Sequence, residues 1–385
     1  MAITRHTTAR RLAMYGPQGA VELERTVPWL LAEEGRITGE QYYLTRPGLL
    51  ASCYVIPHDC AHTGYATWQM LFGQPVRSLV DRIADDEEDR TRTATELADL
   101  AARLPAGATD TLAVVTPGST RPGISGATSA EEVAALVVGI EKLADALSLP
   151  VVAIGNVRDE PGCADLDRIL RERDYVPVTT GADALLDVPP GDLDSYFDGF
   201  RANRRKVMRK ERGRFLAAGP SVTVSGSDGL TADLVDLQRE RYAQYGHQAD
   251  TAAVLDRFRR AVRIPGLRVL RADGPDGPLG FVGFYLDRRH RRIVTRLGAF
   301  ARDDTACYFN LAYYELISYA AAAGGLRIHY GESTYQAKTA RGCRLVRLNT
   351  YFRAADPEVH QIIAEAGRVR TRLEERQLSA AGTPR

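Results

Sequence analysis

Eight cationic side chains crowd into one short stretch of this sequence, Arg201 to Arg214, against a single acid, Glu211. The chemistry of such a run is anion binding. Guanidinium groups present planar forks that match phosphate oxygens, and closely spaced Arg and Lys concentrate positive potential toward a polyanion. The whole chain carries 50 Lys and Arg against 49 Asp and Glu, net +1, so the excess is local and acidic surface elsewhere must balance it. Other residues invite chemistry less well. His58 and His62 stand four apart, the spacing at which a helix offers two imidazoles to zinc, but Pro57 and the apolar run before it read as the end of a strand, and no metal is expected. The loop from Gly118 to Gly126 lacks the Gly-Lys-Ser/Thr ending of a phosphate loop, which excludes that route to nucleotide hydrolysis. Cys53, Cys60, Cys163, Cys307 and Cys343 are odd in number and scattered, with no Cys-x-x-Cys pair. They read as buried thiols of a cytoplasmic protein, and no cysteine nucleophile is expected.

The elements that position the cationic run follow from spacing. It reads as one helix, 194–215, with Leu193, Tyr196, Phe197, Phe200, Val207 and the stem of Lys210 turned inward and Arg201, Arg205 and Arg212 fanned outward. Gly219-Pro220 ends it, since glycine accepts a left-handed cap and proline cannot continue a helix. Upstream, the spacing predicts a strand over 48–56 and an acidic helix from Asp85 through Leu97 and Leu100. A strand at 112–115, a helix capped by Ser129 and a strand at 149–154 follow, then a helix over 164–173 and an extended segment over 175–178. Downstream, it predicts a strand at 222–224, helices over 231–245 and 251–263, strands at 267–271, 279–286 and 292–300, a helix over 306–323, and strands at 327–330 and 345–352. At 385 residues and 44% hydrophobic content, the chain supports two domains, 1–188 and 189–385, each an α/β (α+β) unit. No apolar run approaches the ~20 residues of a membrane helix, and no leader is expected.

The element order of the second half resembles the GNAT acyltransferase fold. Tyr308-Phe309-Asn310-Leu311-Ala312-Tyr313-Tyr314-Glu315-Leu316-Ile317 and Gly331-Glu332-Ser333-Thr334-Tyr335-Gln336-Ala337-Lys338, followed by Gly342, resemble motifs of the Fem-like proteins. These include tandem-GNAT aminoacyltransferases that take amino acids from aminoacyl-tRNA. The resemblance implies two tandem GNAT-like domains with mixed, largely antiparallel sheets flanked by helices, the first degenerate. One departure is informative. Acetyl-CoA-dependent members place a Gln/Arg-x-x-Gly-x-Gly/Ala loop after the fourth strand, whereas this chain has Arg302-Asp303-Asp304-Thr305-Ala306 there. Two carboxylates and no glycine repel and crowd a pyrophosphate, which argues against CoA as donor.

Aminoacyl-tRNA is an activated ester, so amide formation needs positioning, a deprotonated amine and oxyanion stabilisation, and no cofactor is expected beyond that co-substrate. Glu332, at the end of the strand predicted over 327–330, is expected to accept a proton from the attacking amine; Lys338 matches a lysine position of the Fem-like motif, which implies an oxyanion or ribose partner, and Tyr335 and Tyr308 are expected to donate hydrogen bonds to the same atoms. His329, Tyr330, Asn310 and Arg296 are expected to contact substrate. Arg201, Arg204, Arg205, Lys206, Arg209, Lys210 and Arg212 are expected to hold tRNA. The implied reaction is aminoacyl transfer to an amine of a small-molecule (natural-product) or peptide acceptor by a cytoplasmic enzyme with no membrane insertion and no stable protein partner. Two alternatives stay open: an acyl-CoA-dependent N-acyltransferase, and a non-catalytic scaffold that binds RNA or a cell-wall fragment.

Overall fold

Short apolar runs bounded by turn residues become strands, and longer amphipathic ones become the helices between them. The computed structural model describes residues 3–14, 21–37, 39–46, 48–58, 67–105, 107–108, 110–126, 129–244, 250–301 and 305–382. It divides into two units: unit 1 is Met1–Asp183, Glu332–Gln336 and Leu345–Arg385, and unit 2 is Ala184–Gly331 and Ala337–Arg344. Unit 1 thus takes in residues that the sequence reading placed in the C-terminal domain.

The strands that open unit 1 are β1 (Thr4–His6), β2 (Gln41–Arg46), β3 (Leu49–Ile56), β4 (Thr111–Val114), β5 (Ile124–Ser125), β6 (Val151–Arg158) and β7 (Val176–Asp187), the last running on into unit 2. Its helices are α1 (Val27–Glu33), α2 (Gln69–Phe72), α3 (Gln74–Ile83), α4 (Glu87–Ala102), α5 (Ala130–Ala146) and α6 (Ala164–Glu172). Asp86 and Ser129 cap α4 and α5 by accepting from the third residue on, the side-chain bond that satisfies an orphan first-turn amide. β1 to β4 pair antiparallel, whereas β4 and β6 are parallel, with α5 as their crossover. Alternation along β3 sends Ala51 and Cys53 to the core under α5 and α6, and Tyr54 and Ile56 to the core under α2–α4.

Unit 2 repeats that plan. Its helices are α7 (Leu193–Asp198), α8 (Ala202–Ala217), α9 (Leu234–Gln244) and α10 (Thr251–Val262). Its strands are β8 (Ser221–Ser225), β9 (Leu267–Gly274), β10 (Gly277–Asp287) and β11 (Arg292–Phe300). The expected helix over 306–323 forms as α11 (Thr305–Phe309), a π-helical stretch (Asn310–Glu315) and α12 (Leu316–Ala322), and it leads to β12 (Arg327–Gly331). β8 to β11 pair antiparallel, β11 and β12 are parallel, and β12 pairs antiparallel with the end of β7. A parallel pair joined by a crossover helix therefore occurs once in each unit.

After α13 (Tyr335–Thr339) the chain completes unit 1. β13 (Arg344–Ala354) pairs antiparallel with β6 and also neighbours β7, and α14 (Pro357–Gly382) follows. This long helix lay outside the sequence reading. Asp356 accepts from the Glu358 and Val359 amides at its start, and Val359, Ile362, Ile363, Ala366, Val369 and Leu373 form the stripe that closes the core shared with α2–α4. Among the described residues, no helix is long and apolar enough to cross a membrane, and no group of three or more His, Cys, Asp or Glu could hold a metal ion. Cys60 and His62 lie outside the described residues. Cys53, Cys163, Cys307 and Cys343 are buried.

Candidate functional site

The cationic stretch folds differently from the single helix expected over 194–215. Asp192 caps α7 by accepting the Ser195 amide at 2.8 Å, and the turn closes at Gly199. Arg201 is extended, with φ −57° and ψ 148°, so the helix restarts at Ala202 with a new phase. Met208 and Phe215 then become the buried positions of α8, while Val207, expected inward, is 44% exposed, and Lys210 also faces out.

The break sorts the cations. On the inner side, Arg204 donates to the Ala340 carbonyl at 2.6 Å, and Arg212 donates to Asn310 Oδ1 at 3.2 Å and to Glu315. Burial, then the charge of Arg341, hold the Arg204 pKa below its usual value. At the flank, Arg209 pairs with Asp198 at 3.2 Å and Arg205 approaches it at 3.7 Å. Outward stand Arg201, Lys206, Lys210 and Arg214, all exposed and without an ion-pair partner among the described residues.

A residue absent from the sequence reading anchors α8. Arg341 is 2% exposed, pairs with Glu211 at 2.8 Å and donates to the Ala337 carbonyl at 3.0 Å. Its guanidinium carbon lies 3.7 Å from the ring centre of Phe309 and 4.9 Å from that of Tyr313. Tyr314 donates to Glu211 as well. The one acid of the cationic run is therefore its internal key. Tyr196 donates to the Arg341 carbonyl at 2.6 Å, over a turn ending at Gly342. Gly342 has φ +91°, and a Cβ there would meet the Tyr196 hydroxyl at 2.7 Å.

Next to this anchor, β11 and β12 part. They pair only from Arg292↔Arg327 to Val294↔His329, and each then carries a bulge: Arg296 is skipped in the β10–β11 register and Tyr330 in the β12–β7 register. His329 is buried, and its carbonyl accepts from Thr295 at 2.9 Å. Tyr330 packs on Tyr313 at 5.1 Å, and the Tyr313 hydroxyl lies 3.3 Å from that of Tyr308. The Tyr330 hydroxyl is buried without a hydrogen-bond partner among the described residues, and burial pushes its pKa well up. Lys338, also buried, donates to the carbonyls of Tyr330 at 3.1 Å and Gly331 at 2.9 Å, fixing the end of β12. Asn310 is fully buried and its amide donates to the carbonyls of Ala306 and Glu211. Of the residues expected to act on substrate, unit 2 thus holds Tyr308, Lys338, His329, Tyr330, Asn310 and Arg296.

Glu332 and Tyr335 belong to unit 1, where they flank Gly181. A Cβ on Gly181 would stand 2.9 Å from the Tyr335 hydroxyl and 3.5 Å from Glu332 Oε1. The Tyr335 hydroxyl accepts the Ala182 amide at 2.9 Å, and burial, then the Glu332 charge, raise its pKa. Glu332 is exposed, and the residues between the two, Ser333 and Thr334, both have positive φ, 67° and 47°. Two consecutive left-handed non-glycine residues are a strained turn that surrounding contacts must hold, as at functional sites. Arg370 of α14, 5% exposed, donates to the Thr180 carbonyl and to Glu374 and feels the charge of Glu332. Burial lowers the Arg370 pKa and raises that of Glu374. An exposed carboxylate beside a buried phenol and a buried cation can accept and relay a proton. Arg302, Asp303 and Asp304, on which the argument against CoA rests, lie outside the described residues.

No family model matches the chain, and no curated protein matches it. Among solved structures, it is similar to FemX at 11% identity, covering 94% of this chain and 100% of that one with a TM-score of 0.58. Weaker similarity extends to the C-terminal domain (DUF2156) of a putative lysylphosphatidylglycerol synthetase from Agrobacterium fabrum, at 10% identity, 63% and 79% coverage and a TM-score of 0.46. A tandem GNAT protein from the clavulanic acid biosynthesis pathway matches at 11% identity, 92% and 99% coverage and a TM-score of 0.44. The chain has the fold of FemX, and it divides into two units.

Proposed function

We propose that this protein is an aminoacyltransferase that moves an aminoacyl group from aminoacyl-tRNA to the amine of a small-molecule or peptide acceptor, with no resident cofactor. The observation that carries the reading is the sorting of α8. Four cations, Arg201, Lys206, Lys210 and Arg214, face outward with no ion-pair partner among the described residues, while the inner side is locked by Arg341 and Glu211. A rigidly mounted, unneutralised cationic face suits a phosphate backbone, because the charges need no reorganisation to meet it. The Fem-like fold adds support. In the reaction the acceptor amine attacks the ester carbonyl, the C–N bond forms, the ester C–O bond breaks, and the ribose hydroxyl leaves with a proton. Glu332 takes the amine proton, and Lys338 acts by holding the end of β12.

The test is tRNA binding across a salt series. Four phosphate contacts give a slope of log affinity against log salt of about −3 to −4. Changing Arg201, Lys206, Lys210 and Arg214 to Ala is expected to abolish most of that slope, whereas Arg288 and Arg289 of the β10–β11 turn serve as exposed controls. Wild-type protein that fails to bind tRNA at low salt, or binds CoA in its place, sinks the reading.

A further inference from the structure

An open cavity of about 600 Å³ lies in unit 1 between the edge strand β1, its neighbour β2 and the helix α5, and none of the residues assigned above lines it. Its size falls in the range of small-molecule sites, roughly 300–1,000 Å³. The walls are apolar: Leu44 from β2 and Val138 and Leu143 from α5 contribute to them. Gly139 keeps the floor low, because a Cβ there would meet Ile3 Cδ1 at 2.3 Å.

The mouth is cationic. Arg5, Arg46 and Lys142 come from three different elements and converge on the same cavity, and none has an ion-pair partner among the described residues. Arg5 stacks over the Tyr42 ring at 4.5 Å, which holds its guanidinium without neutralising it. Two neighbouring acids are engaged elsewhere. Glu40 accepts from the Tyr42 hydroxyl, and Glu141, next to Lys142 in sequence, is buried and paired with Arg173 and Arg353. Among the described residues, no acidic side chain lines the cavity.

We propose that this cavity is a binding site for an anionic amphiphile, a molecule with one aliphatic chain ending in a carboxylate or phosphate. The chain lies along Leu44, Val138 and Leu143, and the head meets Arg46 and Lys142. The Arg46 fork donates to two oxygens at once, which suits a carboxylate or a phosphate head alike.

The experiment is calorimetric titration of the full chain with decanoate and decyl phosphate below their micellisation concentrations, with decanol and decylammonium as neutral and cationic counterparts. For about a dozen heavy atoms, one-to-one binding with Kd of roughly 0.05–1 mM is expected. Arg46→Glu with Lys142→Glu is expected to weaken both anions at least 10-fold, and Ala135→Trp, at a half-exposed position on the wall, to abolish binding. All three positions leave the core untouched, so thermal unfolding should match wild type. The proposal is overturned if decanol or decylammonium binds as tightly as decanoate, if Ala135→Trp leaves binding intact, or if anionic vesicles bind while the monomeric amphiphiles do not.

Discussion

Arg341→Met isolates what mounts the cationic helix. The substitution keeps an unbranched apolar stem over Phe309 and removes the charge that Glu211 meets at 2.8 Å. Breaking a fully buried pair from one side costs about 3–5 kcal/mol, because the partner charge is stranded. Glu211 is less stranded than that, since its side chain is 19% exposed and keeps the Tyr314 hydroxyl, so the pair is set at the low end. Loss of the cation–π stacking removes about 0.5–2 kcal/mol, partly replaced by the methionine. The expected net loss is about 3 kcal/mol, which for a unit of this size lowers Tm by roughly 6–12 °C. Thermal and urea unfolding of Arg341→Met, Glu211→Gln and the double variant gives the cycle. A coupling of about 1–3 kcal/mol is expected, with the double variant less damaged than the sum of the singles. Because Arg341 is buried and presents no charge to a ligand, tRNA affinity should fall several-fold with an unchanged salt slope. A loss below ~1 kcal/mol, or strict additivity, refutes the claim that this pair anchors α8.

Gly342→Ala places a Cβ on a left-handed residue against the Tyr196 hydroxyl; about 1–3 kcal/mol of stability should be lost, and an unfolding midpoint unmoved from wild type would contradict the assigned turn. Tyr335→Phe removes the acceptor of the buried Ala182 amide, so a loss of about 1–3 kcal/mol is expected, together with faster amide exchange at Ala182 read by NMR. Burial alone would raise the Asp287 carboxyl, but the His290 hydrogen bond and the Arg292 charge outweigh it and hold its pKa below the ordinary value. A depressed carboxylate stabilises above its unfolded pKa and loses that contribution as pH falls through its folded pKa. Asp287→Asn removes charge-assisted hydrogen bonds to His290 and Arg292 and should therefore cost about 1–3 kcal/mol at pH 7, with the gap to wild type closing below about pH 4 in urea melts; a gap independent of pH would contradict the ion pair.

The sequence disclosed what is local. Strand and helix spacing placed the strands and intervening helices that form both parallel pairs, though not their parallel sense, and Ser129 and Gly219 behave as the caps their types predict, Gly219 with φ +64°. The break at Gly199 was not legible as such, because Leu193 to Phe200 and the following Arg-rich run each have helical spacing, and the restart depends on how Arg201 leaves the α7 cap. Arg341 was invisible for a different reason. A lone arginine in a polar turn reads as surface, and only the arrival of Glu211, Phe309, Tyr313 and Tyr314 from distant segments makes it a core residue. Likewise Arg370 reads as one charge among many on an Arg- and Glu-rich helix, and its burial follows from what α14 packs against. The stripe of α14 itself, from Val359 to Leu373, was present in the sequence and went unread.

The return of β13 and α14 to unit 1 sets a schedule for the ribosome. Residues up to Asp183 emerge with β6 lacking its β13 partner and with the core under α2–α4 missing its lid. Roughly 160 further residues must be made before β13 appears, on the order of 10–30 s at typical elongation rates. For that interval the nascent chain presents an open strand edge and a bare apolar face, the two features that chaperones bind and that neighbouring chains on a polysome exploit. Unit 2 is made within the interval, its last eight residues closing it, so it can begin to fold while unit 1 waits, and a translation stall after Gly331 would leave a chain whose later half is nearly formed and whose earlier half is not.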